Sequence, residues 1–406
     1  MEAPKIDFIP GGTVTSPQGF CAGATYAGIK KNVEHSLDLG ILFSEEPCVT
    51  AALFTTNRIK SAPVILCQER VQKGSAVAVV ANSGCANAST GEEGLADAAE
   101  MAALVAESIG AAPEDVLVAS TGVIGKPLPM KLIREGISQI VLSNDGGHEL
   151  ARAIMTTDTV PKETAVAAGI GGTKFTIGGV AKGSGMIHPD LGTMFCFLTT
   201  DAAVELDFLR SALSKAVDVS FNMVSVDGDT SPSDTVLIMA NGLVGNESIS
   251  EGSQQADTFQ QALEQVCIYL AKAIAGDGEG ATKLIEVTVD GAMSIAEARI
   301  AARTIVSSSL VKAAVYGSDP NWGRIVVAVG RSGVEVVESN IDLYIGDVSV
   351  VKGGSPLSFS EQSVIRVLEQ SEVPIRLHLN LGTASATAWG CDLSEEYVTI
   401  NSQYMT

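Results

Sequence analysis

The chain has little of what usually announces a function. Aromatic residues make up only 5% of its 406 positions and charged residues 18%. Basic residues are scarce, 26 against 47 acidic ones, for a formal net charge of −21. That balance excludes a nucleic-acid partner, because phosphate contacts need clustered Lys and Arg. No apolar run reaches the roughly 20 residues of a membrane span, so no membrane partner is expected. The opening MEAPKIDFIPGG has no basic region followed by an apolar stretch, so no secretory signal is expected. The seven cysteines (21, 48, 67, 85, 196, 267 and 391) are odd in number, scattered, and form no CxxC. They read as reduced, mostly buried thiols of a cytoplasmic protein.

The usual catalytic signatures are missing as well. The one Gly-Lys pair, Gly125-Lys126, is followed by Pro127 and not by Ser or Thr, so there is no phosphate loop. No GxGxxG follows a strand and opens a helix, and no GxSxG elbow appears. The four histidines (35, 148, 188 and 378) lack HExxH spacing, so no zinc site is expected. DGDTSPSD (227–234) echoes a calcium loop but lacks the glycine at its sixth position and the glutamate at its twelfth.

What is present is glycine, 41 residues, and an apolar share of 46%. The length suits one large domain or two, with an ample core. Strand patterns occur at 75–82, 115–121, 193–201, 234–241 and 283–291. Helical periodicity of three and four runs through 95–110, 205–221 and 257–278, with Gly110 closing the first. This alternation predicts a layered α/β fold. Charge is uneven, a net −6 over 1–192 and −15 over 193–406. Just before that change, GIGGTKFTIGGVAKGSG (169–185) holds an alternating KFTIGGVA, which reads as a hairpin leading into a tight site.

Four segments are too polar and too rich in glycine for their apolar settings. VASTGVIG (118–125) ends a strand in Ser-Thr-Gly, able to aim a hydroxyl and a close backbone N–H at one point, as an oxyanion hole requires. An ordinary strand-to-loop turn would read the same. AKGSGMIHPDLGTMFCFLTTDA (181–202) sets Lys182 among small residues and Gly192 before Thr193. If the bond between them broke, Thr193 would carry both nucleophile and base, since a free α-amino group has a pKa of about 7.7–8.0. A threonine that simply favours a strand is the plainer alternative. GDGEGATK (276–283) places Glu279 between glycines after a long helix, to bind an amine or to end the helix in a solvated loop. The tail YVTINSQYMT (397–406) has strand character through Tyr397, Val398 and Ile400, and can deliver Asn401 and Thr406 to a site or dock as an edge strand.

These segments resemble the glutamate N-acetyltransferase (ornithine acetyltransferase) family of the cyclic arginine-biosynthesis route. The marks are NSGCANAST (82–90), STGVIG (120–125), IMTTDTVPK (154–162), KGSGMIHPDLGTM (182–194) and VDGDTSPSDT (226–235). DGEGATK (277–283), GSDPNWGRI (317–325) and AWGCDLSEEYVTINSQYMT (388–406) complete the set, in order over nearly the whole chain. The resemblance implies an α/β layered sandwich with β-sheets between helices, belonging to a self-processing enzyme with an N-terminal threonine nucleophile. It implies a cut between Gly192 and Thr193, giving an α chain of 1–192 and a β chain of 193–406 that remain assembled. Thr193 would then pass an acetyl group from N2-acetylornithine to glutamate, releasing ornithine and N-acetylglutamate. Thr121 and Gly122 match the family's oxyanion pair, and the catalytic set adds Glu279. The family's substrate contacts fall on Thr159, Lys182, Thr193, Glu279, Asn401 and Thr406, with Thr156 and Thr157 beside Thr159. Lys182 can pair with a substrate carboxylate and Glu279 with an ammonium group, or Lys182 can neutralise Asp190 or Glu279. No cofactor is expected, acetyl-CoA being at most a second acetyl donor, and the implied assembly is a heterotetramer of two α and two β chains in the cytoplasm.

The chain departs from the family at several points. Asp190-Leu191-Gly192 replaces Asn-Met-Ala before the nucleophile, Cys85 replaces Asn, and Pro232-Ser233 replaces Thr-Asn. Gly192 is smaller than alanine and still permits the bend. Asp190 adds a negative charge near Lys182. Two other functions share these features: an aminopeptidase-type hydrolase with water as acceptor, and a non-catalytic amino-acid-binding scaffold.

Overall fold

The computed structural model describes residues 5–30, 36–170, 173–188 and 194–403. Gly192, Thr193, Asp190 and Thr406 lie outside the described residues.

Two sheets organise the chain. The first has nine strands. Its path runs Lys5–Phe8, Lys162–Ile170, Thr173–Lys182, Phe195–Thr200, Thr235–Ala240, Leu39–Phe54, Ser75–Cys85, Val116–Val123, with Phe20–Thr25 paired to Leu39–Phe54 off that path. Two strands that follow residue 193 therefore sit amid seven that precede it. Thr173–Lys182 and Phe195–Thr200 pair antiparallel, and Phe195–Thr200 and Thr235–Ala240 pair parallel. The hairpin expected in 169–185 is Lys162–Ile170 against Thr173–Lys182.

Alternate residues of the central strands enter two different cores. Cys196, Leu198, Val236 and Ile238 face one, with Leu209 and Phe259 of the helices Leu206–Asp218 and Ala256–Gly276. Phe195, Phe197, Leu237 and Met239 face the other, with Met101 and Val105 of the helix Gly91–Ile109 and Leu150 of Gly147–Ala153. Helices thus cover both faces of this sheet. That is why these strands read as unbroken apolar runs. Each fully buried Phe or Leu there contributes about 1.5–3 kcal/mol.

The seven strands of the second sheet run Ser355–Pro356, Val348–Lys352, Asp342–Ile345, Glu372–His378, Leu284–Ala292, Ala384–Cys391, Val224–Ser225. Here the apolar residues alternate. Ile285, Val287 and Val289 are buried, as are Val373, Ile375 and Leu377, and they join the same core as Phe259. Helix Ala256–Gly276 lies against strands of both sheets. The architecture is an α/β sandwich of sheets and helix layers.

The tail departs from its expected strand. Residues Glu395–Ser402 form a helix. Ser394 is extended at its N-cap, and Glu395 and Glu396 occupy the first turn, where the helix dipole favours negative charge. Val398 is exposed, so the β-branched residues that suggested a strand have no sheet to bury them. All seven cysteines are free and buried. Among the described residues, no helix is long and apolar enough to cross a membrane.

Candidate active site

Strand ends and loops distant in sequence meet around a cavity of about 300 Å³. Its lining includes Thr121, Gly122, Thr156, Thr157, Lys182 and Glu279. Gly185, Ser231, Pro232, Ser233 and Asn401 also face it.

Thr121 and Gly122 end the strand Val116–Val123, whose parallel register sets Gly122 beside Gly84. Thr121 is 4% exposed. Gly122 has φ +123°, and a Cβ there would lie 2.5 Å from the Gly84 carbonyl carbon and 2.7 Å from the Cys85 nitrogen. Only a bare backbone fits both that conformation and that space.

Lys182 ends the strand Thr173–Lys182 and is buried. Its Nζ donates to Thr156 Oγ1 at 3.4 Å and lies 5.7 Å from the centre of the Phe195 ring. Burial pushes its ammonium below the usual lysine range, against the opposing pull of Asp158 and Asp234. Among the described residues it makes no ion pair, with Glu279 or any other carboxylate; Asp190 lies outside them.

Glu279 is buried and lines the same cavity. Asn401 Nδ2, delivered by the tail helix, donates to its Oε2 at 2.7 Å. The Glu279 N–H donates to Ser184 O at 2.9 Å, and Thr157 and Ser184 join their hydroxyls at 2.6 Å. A Cβ at Gly185 would overlap the Glu279 carboxylate. Gly185→Ala should therefore displace that carboxylate and raise the KM for amino-acid substrates by about tenfold, the cost of a weakened charged hydrogen bond. Steady-state kinetics check this; an unchanged KM would mean Glu279 does not meet substrate.

The structure separates the three threonines of 156–159. Thr156 and Thr157 line the cavity. Thr159, to which the family contact was assigned, is exposed and turns its hydroxyl and its N–H (3.0 Å) to Asp277 instead. It is not among the lining residues, because the turn at Asp158 points the first two threonines inward and the third outward.

Two features of the site were not legible locally. Asp234 is 1% exposed, its Oδ1 accepts the Met194 N–H at 2.9 Å, and its Oδ2 is buried without a hydrogen-bond partner among the described residues. Burial pushes its carboxyl well above the usual range, against the Met194 hydrogen bond and the Lys182 charge. Its only sequence signal was an acidic residue heading an apolar strand. The second feature is the buried charge cluster of Asp158, Lys162 and Asp277. The loop that echoed a calcium site serves as a clamp, since Asp227 accepts the N–H groups of Met186 (2.5 Å) and Ile187 (3.0 Å). Among the described residues, no group of three or more His, Cys, Asp or Glu is placed to hold a metal ion.

Known proteins resemble this chain over nearly its whole length. Residues 21–406 match the ArgJ family. The arginine biosynthesis bifunctional protein ArgJ of Dehalococcoides mccartyi (strain CBDB1) is 52% identical over 402 residues, covering 99% of each chain. That of Symbiobacterium thermophilum is 52% identical over 403 residues, covering 99% of this chain and 100% of the relative. A crystal structure of the arginine biosynthesis bifunctional protein argJ from Bacillus halodurans is 46% identical, with a TM-score of 0.50; the match covers 52% of this chain and 98% of that one. With half of all positions shared from end to end, the chain belongs to the ArgJ family.

Proposed function

We propose that the chain moves an acetyl group from N2-acetylornithine to glutamate through an acetyl ester on Thr193. It is an acyltransferase of arginine biosynthesis. The observation that carries the reading is one small cavity holding a buried lysine, a buried glutamate and the Thr121-Gly122 strand end, beside the strand that starts just after residue 193.

In this reading the chain first cuts itself between Gly192 and Thr193. The Thr193 hydroxyl attacks the Gly192 carbonyl carbon, the peptide becomes an ester, and water hydrolyses the ester to leave a free α-amino group. Two facts support the cut. The paired strands on either side of it give the halves a shared sheet to remain in. The solved Bacillus halodurans chain matches over 98% of its length yet covers only 52% of this one, about what a half-chain would.

Transfer then takes two similar steps. The Thr193 α-amino group takes the hydroxyl proton, and Oγ attacks the acetyl carbonyl of N2-acetylornithine. Thr121 and the Gly122 N–H hold the oxyanion. The C–N bond breaks, the proton returns to the departing amine, and ornithine leaves. The glutamate amine attacks the acetyl ester by the reverse path and frees the hydroxyl. Lys182 pairs with the substrate carboxylate and Glu279, held by Asn401, with the side-chain ammonium of ornithine. Such charge-assisted bonds are about twice as strong as neutral ones in a secluded site. No cofactor is called on; acetyl-CoA, where used, is a second donor to the same hydroxyl. The cut halves assemble as two copies of each, in the cytoplasm.

The acceptor tests this. Glutamate should speed the breakdown of N2-acetylornithine and appear as N-acetylglutamate. A hydrolase would release acetate at a rate indifferent to glutamate. N-terminal sequencing should find an end beginning Thr-Met-Phe-Cys.

A further inference from the structure

Behind the cavity wall, one ammonium group holds together the segments that form it. Lys162 begins the strand Lys162–Ile170 and is 2% exposed. Its Nζ donates to Asp158 Oδ1 and to Asp277 Oδ2, each at 2.6 Å. None of the three residues lines the cavity, yet each carboxylate grips a segment that does. Asp158 accepts the Gly183 N–H at 2.7 Å, next to Lys182, and the Thr156 N–H at 2.9 Å. Asp277, two residues before Glu279, accepts the Thr159 N–H and hydroxyl. Burial alone would raise the Asp158 carboxyl; the charges of Lys162 and Lys182 and its hydrogen bonds overcome that and hold it at about 2.

A buried ion cluster of this kind is poor value for stability, since its desolvation cost rivals its attraction, and apolar residues of similar volume often serve as well. What it supplies is geometry. Segments 115 residues apart in the chain are held to a common centre, and those segments carry the cation and the carboxylate that face the cavity. We propose that Lys162 is a positioning residue that fixes the spacing between Lys182 and Glu279, and with it the fit for amino acids bearing charge at both ends. This rests on the acetyl-transfer reading for what the cavity binds.

Lys162→Met removes the cation and keeps the stem. Asp158 and Asp277 then face each other without the ammonium that joins them, and the segments part. kcat/KM should fall on the order of a hundredfold, as for a displacement of about 1 Å, with most of the loss in KM. Calorimetric Kd values for ornithine and glutamate should rise in parallel. Lys162→Arg, which keeps the charge, should lose far less. Adding Asp277→Asn to Lys162→Met removes one of the two opposed carboxylates and should recover part of the affinity. A merely structural lysine would lower the thermal midpoint and leave KM and Kd unchanged, and that result overturns the proposal. Should Lys162→Met fail to fold, Asp277→Asn alone, which leaves the Lys162–Asp158 pair, carries the test: a KM raised about tenfold supports the spacing role, by the energy of one charged hydrogen bond, and an unchanged KM refutes it. The unaltered protein is run beside the variants, so that a failure of acetyl transfer in it counts against the function and not against the role of Lys162.

Discussion

Thr193→Ala should run as one unbroken chain under denaturing conditions, where the unaltered protein should give fragments 1–192 and 193–406. Acetyl transfer should fall by about 10⁴-fold or more, the scale on which enzymes lose activity without their nucleophile. Both effects have one cause. Without Oγ there is nothing to attack the Gly192 carbonyl, and without the cut no α-amino group exists to act as base. Thr193→Ser should restore both in part, since it returns the hydroxyl and, after cutting, the amine. Ornithine binding should survive in the alanine variant, because Lys182 and Glu279 remain. An uncut variant with undiminished turnover would remove both the nucleophile and its base from the account.

Gly122→Ala should lower kcat by up to about 10²–10³-fold, the scale of losing one oxyanion donor, because the added methyl drives the Gly122 N–H out of place. The added methyl would sit 2.5 Å from the Gly84 carbonyl carbon and 2.7 Å from the Cys85 nitrogen, both backbone atoms with no freedom to rotate away. The strands Val116–Val123 and Ser75–Cys85 must separate there, and φ +123° adds strain of its own. The thermal midpoint should drop as well. Thr121→Val separates the two effects, since it deletes only a hydroxyl and preserves the β-branched shape that suits a strand. It should lose rate at nearly constant stability. Saturating kinetics and thermal melts on both variants check this, and a Thr121→Val protein with full kcat would rule out the Thr121 hydroxyl as an oxyanion donor.

Much of this molecule is local. The period of 3.6 in 95–110, 205–221 and 257–278 marks helices that form as Gly91–Ile109, Leu206–Asp218 and Ala256–Gly276. Gly110 closes the first in the left-handed conformation expected of a helix-ending glycine. The strand patterns at 75–82, 115–121, 234–241 and 283–291 all form strands. These follow from side-chain spacing along a few turns or a few residues, where each choice is settled by which face can be buried. The tail shows the limit of such reasoning. Tyr397, Val398 and Ile400 favour a strand only where a sheet edge receives them; among the described residues they pair with no strand, and capping and helix electrostatics prevail.

The cavity belongs to a different scale. Thr121, Lys182, Glu279 and Asn401 stand out in sequence one segment at a time, and only the family resemblance groups them; no local pattern places them around one cavity, where sheet order and register bring their elements together. Thr156 and Thr157 face inward while Thr159 faces Asp277, a distinction set by a turn and its hydrogen bonds and invisible in the run of letters. Nothing in the sequence marks Asp158, Lys162 and Asp234 as buried or Asp277 as their half-buried neighbour, and only the folded chain shows it. Burial of charge depends on what lies across space, and a buried ion takes its partner wherever the fold supplies one. Helix, strand and chemistry-bearing motif are therefore properties of neighbouring residues, while a site is a property of distances between remote ones, set by the order and register in which the strands pair.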